Sequence, residues 1–84
     1  MLVVVSYDIG DNRRRNKVGK LLEGSGSRVL ESVFECDLTT QQWTKVKRRL
    51  MRLLKADEDR ARVYFLCETC LAKTEIVGGG TVES

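Results

Sequence analysis

Tyr7 and Asp8 close the apolar run Val3–Val4–Val5, and the chain then delivers Arg13, Arg14, Arg15 and Lys17. These residue types can do phosphate-ester chemistry together. A carboxylate binds a hard divalent ion, guanidinium groups grip phosphate through paired N–H bonds, and a phenol can hold or pass a proton. The same spacing also suits a solvated turn in which Asp8 caps the strand end or pairs with Arg13 or Arg14. Residue types alone leave both readings open.

The sequence contains no histidine. Ser-His-Asp and Cys-His catalysis are therefore excluded, as is any imidazole base. Chemistry here must rest on carboxylates, a metal, Tyr or Lys. Cys36, Cys67 and Cys70 are three in number, which suits a reducing compartment better than a disulfide framework. "CETC", Cys67 to Cys70, supplies only half of a zinc ligand set. It reads as small apolar cysteines near a strand end. As a redox dithiol it lacks, in the sequence pattern, a following helix to lower a thiol pKa.

Positioning these groups falls to a chain of 84 residues, 42% hydrophobic and 32% charged, which is one globular domain with marginal core stability. Residues 1–77 read as that domain and 78–84 as a tail or edge extension. No apolar run reaches membrane-spanning length. Strand-like residues begin without a basic leader, and the expected location is cytoplasmic. The net charge of +3 is unevenly spread. Arg13, Lys17 and Lys20 recur at helical spacing in one segment, and Lys45, Arg48, Arg52 and Lys55 in another, the second without any acid from 39 to 55. Two acid-poor basic stripes point to a polyanionic partner.

Asp11 is placed to cap a first helix whose apolar face is Val18, Leu21 and Leu22, stopped by Gly24–Ser25–Gly26. Thr39 and Gln42 fit a capping box opening a second helix with Trp43, Val46, Leu50 and Leu53 or Leu54 as its buried stripe. "RVLESVFECDL" alternates, with Leu30, Ser32, Phe34, Cys36 and Leu38 on one face; it is one long strand or two short ones. "RARVYFLC" is a further strand, and "KTEIVG" a short last one. Strand–helix–strand(s)–helix–strand–strand predicts an α+β, ferredoxin-like two-layer sandwich: an antiparallel sheet, two helices on one face, and a C-terminal edge strand. The helix-free face carries apolar residues, and a second copy is its expected cover, giving a homodimer.

"VVVSYDI", then "RRRNKVGKLL", "GSRVLESVFECDLT" and "RVYFLCETC", resembles the small CRISPR-associated adaptation protein family, the ferredoxin-like subunit of spacer-acquisition complexes. The resemblance spans Leu2 to about Val77. Gly10 stands where the family more often has Pro or Ser, and Leu30 where it often has a polar residue. The resemblance implies a homodimer whose two Asp8 side chains lie near the two-fold axis and share Mg²⁺ or Mn²⁺. It implies binding of DNA or single-stranded RNA, a bridging role between integrase subunits, and metal-dependent endonuclease activity in some members. By position it assigns Tyr7 and Asp8 to catalysis, Asp8 to the metal, Arg13, Arg14, Arg15, Lys17 and Arg28 to nucleic acid, and Ser32 and Phe34 to the site lining. Two like-charged acids brought together would raise one pKa, so metal binding is expected to strengthen as pH rises.

Three function classes follow. One is a metal-dependent nuclease using paired Asp8. Another is an architectural DNA-binding dimer whose partner does the chemistry. The third, a single-stranded RNA-binding domain, is the weakest, because "RARVYFLC" lacks the glycine–aromatic pattern that stacks bases.

Overall fold

The structure is a computed structural model that describes residues 1–79. Strand β1 (Leu2–Asp8) is β-branched through Val3–Val5 and alternates in burial: Val3, Val5 and Tyr7 are buried, whereas Val4 and Ser6 are half-buried and Asp8 is exposed. Helix α1 (Asn12–Glu23) starts at Asp11, whose carboxylate accepts the Arg14 N–H at 2.9 Å. It ends at Gly24, and the Gly26 N–H returns to the Leu22 carbonyl at 2.9 Å.

The alternating middle segment is two strands, β2 (Ser27–Leu30) and β3 (Val33–Asp37), joined by a tight turn at Glu31–Ser32. A register shift between Arg28 and Leu30 resets the pleat. The expected single face from Leu30 to Leu38 is thereby corrected: Phe34, Cys36 and Leu38 are buried, but Leu30 is 68% exposed. Helix α2 (Thr40–Leu53) opens with the expected capping box. The Gln42 N–H donates to Thr39 Oγ1 at 3.1 Å and the Thr39 N–H to Gln42 Oε1 at 2.9 Å.

Strand β4 (Arg60–Leu66) completes an antiparallel sheet of order β2-β3-β1-β4. Both long helices lie on one face, the ferredoxin-like arrangement. The core between the layers joins Val3, Val5, Tyr7, Phe34 and Cys36 of the sheet to Val18 and Leu22 of α1 and Trp43, Val46 and Leu50 of α2.

"KTEIVG" is not a strand. A short helix α3 (Glu68–Ala72) follows β4, and irregular backbone runs from Thr74 to Gly79. Cys67 caps α3, residues 74–77 line a depression with β2 and β3, and Gly78 takes φ +93°. The expected tail over 78–84 is described only to Gly79; residues 80–84 lie outside the described residues. Among the described residues, no helix is long and apolar enough to cross a membrane.

Candidate nucleic-acid and metal site

Strand register divides the expected site residues between two sides of the sheet. Residues opposite one another in a ladder share a face. Asp8 stands opposite Arg60, Ser6 opposite both Arg62 and Val33, and Val4 opposite both Tyr64 and Glu35. These residues form the face without long helices. Tyr7, one position before Asp8, points to the other side, into the core.

Asp8 is exposed at the end of β1, beside an open depression lined by Ser6, Ala56, Asp59, Arg60 and Arg62. Among the described residues no hydrogen bond or ion pair engages its carboxylate, so the alternative pairing with Arg13 or Arg14 is not made. Arg14 is occupied elsewhere. Its Nε and one terminal nitrogen donate to both Asp59 oxygens at 2.7 and 3.1 Å, and that terminal nitrogen also meets Glu58 at 2.9 Å. The Asp59 side chain is fully buried and also accepts the Lys55 N–H at 2.8 Å. Arg14 and this amide hold the Asp59 carboxyl below its usual range, and the Arg14 guanidinium is held charged in return. The network ties the start of α1 to the turn before β4.

The remaining cations differ in freedom. Arg13 and Lys17 are exposed on α1 and make no ion pair among the described residues. Arg15 donates to the Ile9 carbonyl at 3.2 Å and to the Asn12 side chain, which fixes the loop after Asp8. Arg28 lies with its guanidinium carbon 4.7 Å from the Phe34 ring centroid, a cation–π arrangement. It donates to Glu23 at 3.1 Å and to the Glu31 carbonyl. Glu23 chiefly keeps this guanidinium charged, with the Tyr7 hydroxyl adding a smaller share. Tyr7 in turn stacks on Phe34 at 6.3 Å. Ser32 sits in the β2–β3 turn, where its carbonyl accepts the Tyr7 N–H at 3.0 Å.

The expected residues therefore form two clusters: Asp8 on the open face, and Tyr7, Phe34 and Arg28 at the junction of α1 and β2. Sequence reading missed Asp59, whose burial fixes Arg14, and Arg60, which the register brings opposite Asp8. The period-two pattern of "RARVY" carried a signal for Arg60 and Arg62 sharing a face.

Among the described residues a divalent ion would find one free carboxylate here, because Asp59 is held by Arg14 and the Lys55 N–H. Among the described residues no three His, Cys, Asp or Glu side chains gather as a ligand set. Mg²⁺ ordinarily binds through one or two carboxylates together with water and substrate phosphate. Exposed, and unpaired among the described residues, Asp8 fits such an open site.

Comparison with known proteins places these features in context. The family model described as "CRISPR associated protein Cas2" matches residues 1–74. The chain is 51% identical over 81 residues to a "CRISPR-associated endoribonuclease Cas2 1" of Chloroflexus aurantiacus, covering 95% of this chain and 87% of that one. Its fold is similar to a crystal structure of Streptococcus pyogenes Cas2, with TM-score 0.83 and 32% identity, covering 93% of this chain and 100% of that one. It is also similar to a hypothetical protein of Thermus thermophilus, with TM-score 0.85 and 39% identity, covering 95% and 93%.

Proposed function

The chain belongs to the Cas2 family of CRISPR-associated proteins, and on that premise we propose that it is a homodimeric, nucleic-acid-binding subunit of CRISPR spacer acquisition. In this reading it works in the cytoplasm, bridges integrase subunits on DNA, and cleaves phosphodiesters of RNA or DNA at a pair of Asp8 side chains sharing Mg²⁺ or Mn²⁺. The observation that carries it is Asp8 itself: an exposed carboxylate without a counter-ion among the described residues, on a sheet face without long helices, in a chain whose neighbouring acids Asp11 and Asp59 are both engaged.

A second copy is the natural cover for that face, where Val4 and Val33 are only half-buried and Tyr64 is 49% exposed. Such a cover brings a second Asp8 without a second acid in the sequence. When bound, a hard divalent ion supplies an activated water and offsets charge on the phosphoryl oxygens. Asp8 holds its place and Arg15 stiffens the loop behind it. Arg13 and Lys17 contribute free charge for substrate phosphates, which Arg14 does less because Asp59 and Glu58 occupy it. Tyr7 supports Asp8 from the core rather than touching the same substrate atom, since the two point to opposite sides. Arg28, held over Phe34, presents a guanidinium at the edge of α1.

One observation favours a purely architectural dimer as the second reading: among the described residues, each chain offers the site one free carboxylate and no histidine. Labelled single-stranded RNA and double-stranded DNA, incubated with Mg²⁺ or Mn²⁺ and with chelator, separate the two. Metal-dependent cutting abolished in Asp8→Ala, with binding retained, is expected for the nuclease. Absence of cutting, or equal cutting by the variant, refutes it and leaves the bridging role, which is measured by complex formation with the integrase subunit.

A further inference from the structure

Cys67 and Cys70 stand where β4 passes into α3, away from the Asp8 chemistry. The helix missing from the sequence reading of "CETC" is present. Cys67 is its capping residue, and the Cys67 Sγ accepts the Cys70 backbone N–H at 3.5 Å. Both side chains are exposed, whereas Cys36 is enclosed in the core. The capping residue and the third residue of the helix lie one turn apart on the same side, so the Cys67 sulfur sits over the turn that carries Cys70.

The two thiols are also unequal. Donation from the Cys70 N–H lowers the Cys67 thiol pKa, while its interaction with Cys67 raises that of Cys70. Cys67 is thereby the sulfur favoured as thiolate, the form that attacks a disulfide. The backbone end of α3 holds the segment that follows: the Thr74 hydroxyl donates to the Cys70 carbonyl at 3.4 Å, and the Thr74 N–H to the Leu71 carbonyl at 3.1 Å.

We propose that Cys67 and Cys70 are a reversible dithiol–disulfide pair that exchanges with low-molecular-weight disulfides, Cys67 attacking and Cys70 resolving. The Cys67 thiolate attacks one sulfur of the external disulfide, forming a mixed disulfide and releasing one thiolate. Cys70 then loses its proton and attacks the Cys67 sulfur, closing the internal bond and releasing the second thiolate. The protein loses two electrons and two protons, and the external disulfide becomes two thiols. The closed bond staples the first turn of α3 and with it the anchor of Thr74.

The test uses the full chain, equilibrated without oxygen in graded glutathione redox buffers, acid-quenched, alkylated and mapped by mass spectrometry. The expected product has lost two hydrogens, maps to Cys67–Cys70 within one chain, and leaves Cys36 alkylated only after unfolding. Cys70→Ser is expected to stall as the glutathione adduct at Cys67, and Cys67→Ser to react more slowly at Cys70, because the backbone N–H contact belongs to the Cys67 sulfur. Equal reactivity of the two variants, bonds only between chains, or free thiols in the most oxidising buffer would each overturn the proposal. If a variant misfolds by far-ultraviolet circular dichroism, relative alkylation rates of Cys67 and Cys70 in the wild type decide the order of attack.

Discussion

Gly26 sits between the end of α1 and β2, and an added methyl there has no space. An alanine Cβ would lie 2.3 Å from the Glu35 carbonyl oxygen, 2.6 Å from Cys36 Sγ and 2.7 Å from Cys36 Cα. Two of these atoms belong to the backbone of β3, which is hydrogen-bonded to β1 and β2, and the third to a fully buried side chain. None can swing aside, so a strand or helix must shift. Overfilling a packed interior costs about 1–3 kcal/mol, and rigid neighbours put Gly26→Ala near ~3 kcal/mol. For a domain of this size that is a fall in Tm of roughly 12–24 °C, at about 4–8 °C per kcal/mol. Thermal unfolding followed by far-ultraviolet circular dichroism measures it, with both proteins at the same concentration because a dimer's Tm depends on it. Gly24→Ala is the control: its Cβ meets nothing nearer than the Leu21 carbonyl at 3.5 Å, and φ is an ordinary −70°. It is expected to be neutral or stabilising by about 0.4–1 kcal/mol. A Gly26→Ala Tm within about 4 °C of wild type, or equal losses at both positions, would refute the packing argument.

Thr39→Ala removes half of the capping box and is expected to lower stability by about 1 kcal/mol in urea titration, with the m-value unchanged. The pH dependence of unfolding should report Asp59. Its carboxyl titrates lower in the folded than in the unfolded chain, so its contribution is complete above about pH 4 and disappears as pH falls through the folded value; Asp59→Asn should flatten that part of the profile. Duplex DNA affinity should fall steeply with salt, and Lys45→Gln/Arg48→Gln/Arg52→Gln should reduce the log–log slope by roughly 2–3 if all three meet phosphates. An unchanged slope would assign binding to other cations.

The caps and stripes were readable because their causes are local. Asp11, Thr39 with Gln42, and the Trp43–Val46–Leu50 stripe each depend on residues within a turn or two. The split of residues 27–37 was not decided, because alternation looks the same through a tight turn as through a straight strand. Helix α3 escaped notice because five residues give too short a period, and cysteine is a weak capping signal. Asp59 is the last of three consecutive acids, Asp57 to Asp59, a local pattern that reads as a polar turn; only the approach of Arg14, 45 residues away in sequence, makes it a buried anchor. Asp8 was legible as a candidate, but its separation from Tyr7 required the pleat.

That separation bears on how the chain can evolve. Asp8 touches no partner among the described residues, and its neighbour Tyr7 secures the interior on the opposite side. Whatever the carboxylate does, a single base change can remove it or restore it without disturbing the scaffold. On the proposed role of Asp8, a lineage would cross between cutting and merely holding nucleic acid in one mutational step, and sequences with or without this acid would share one architecture.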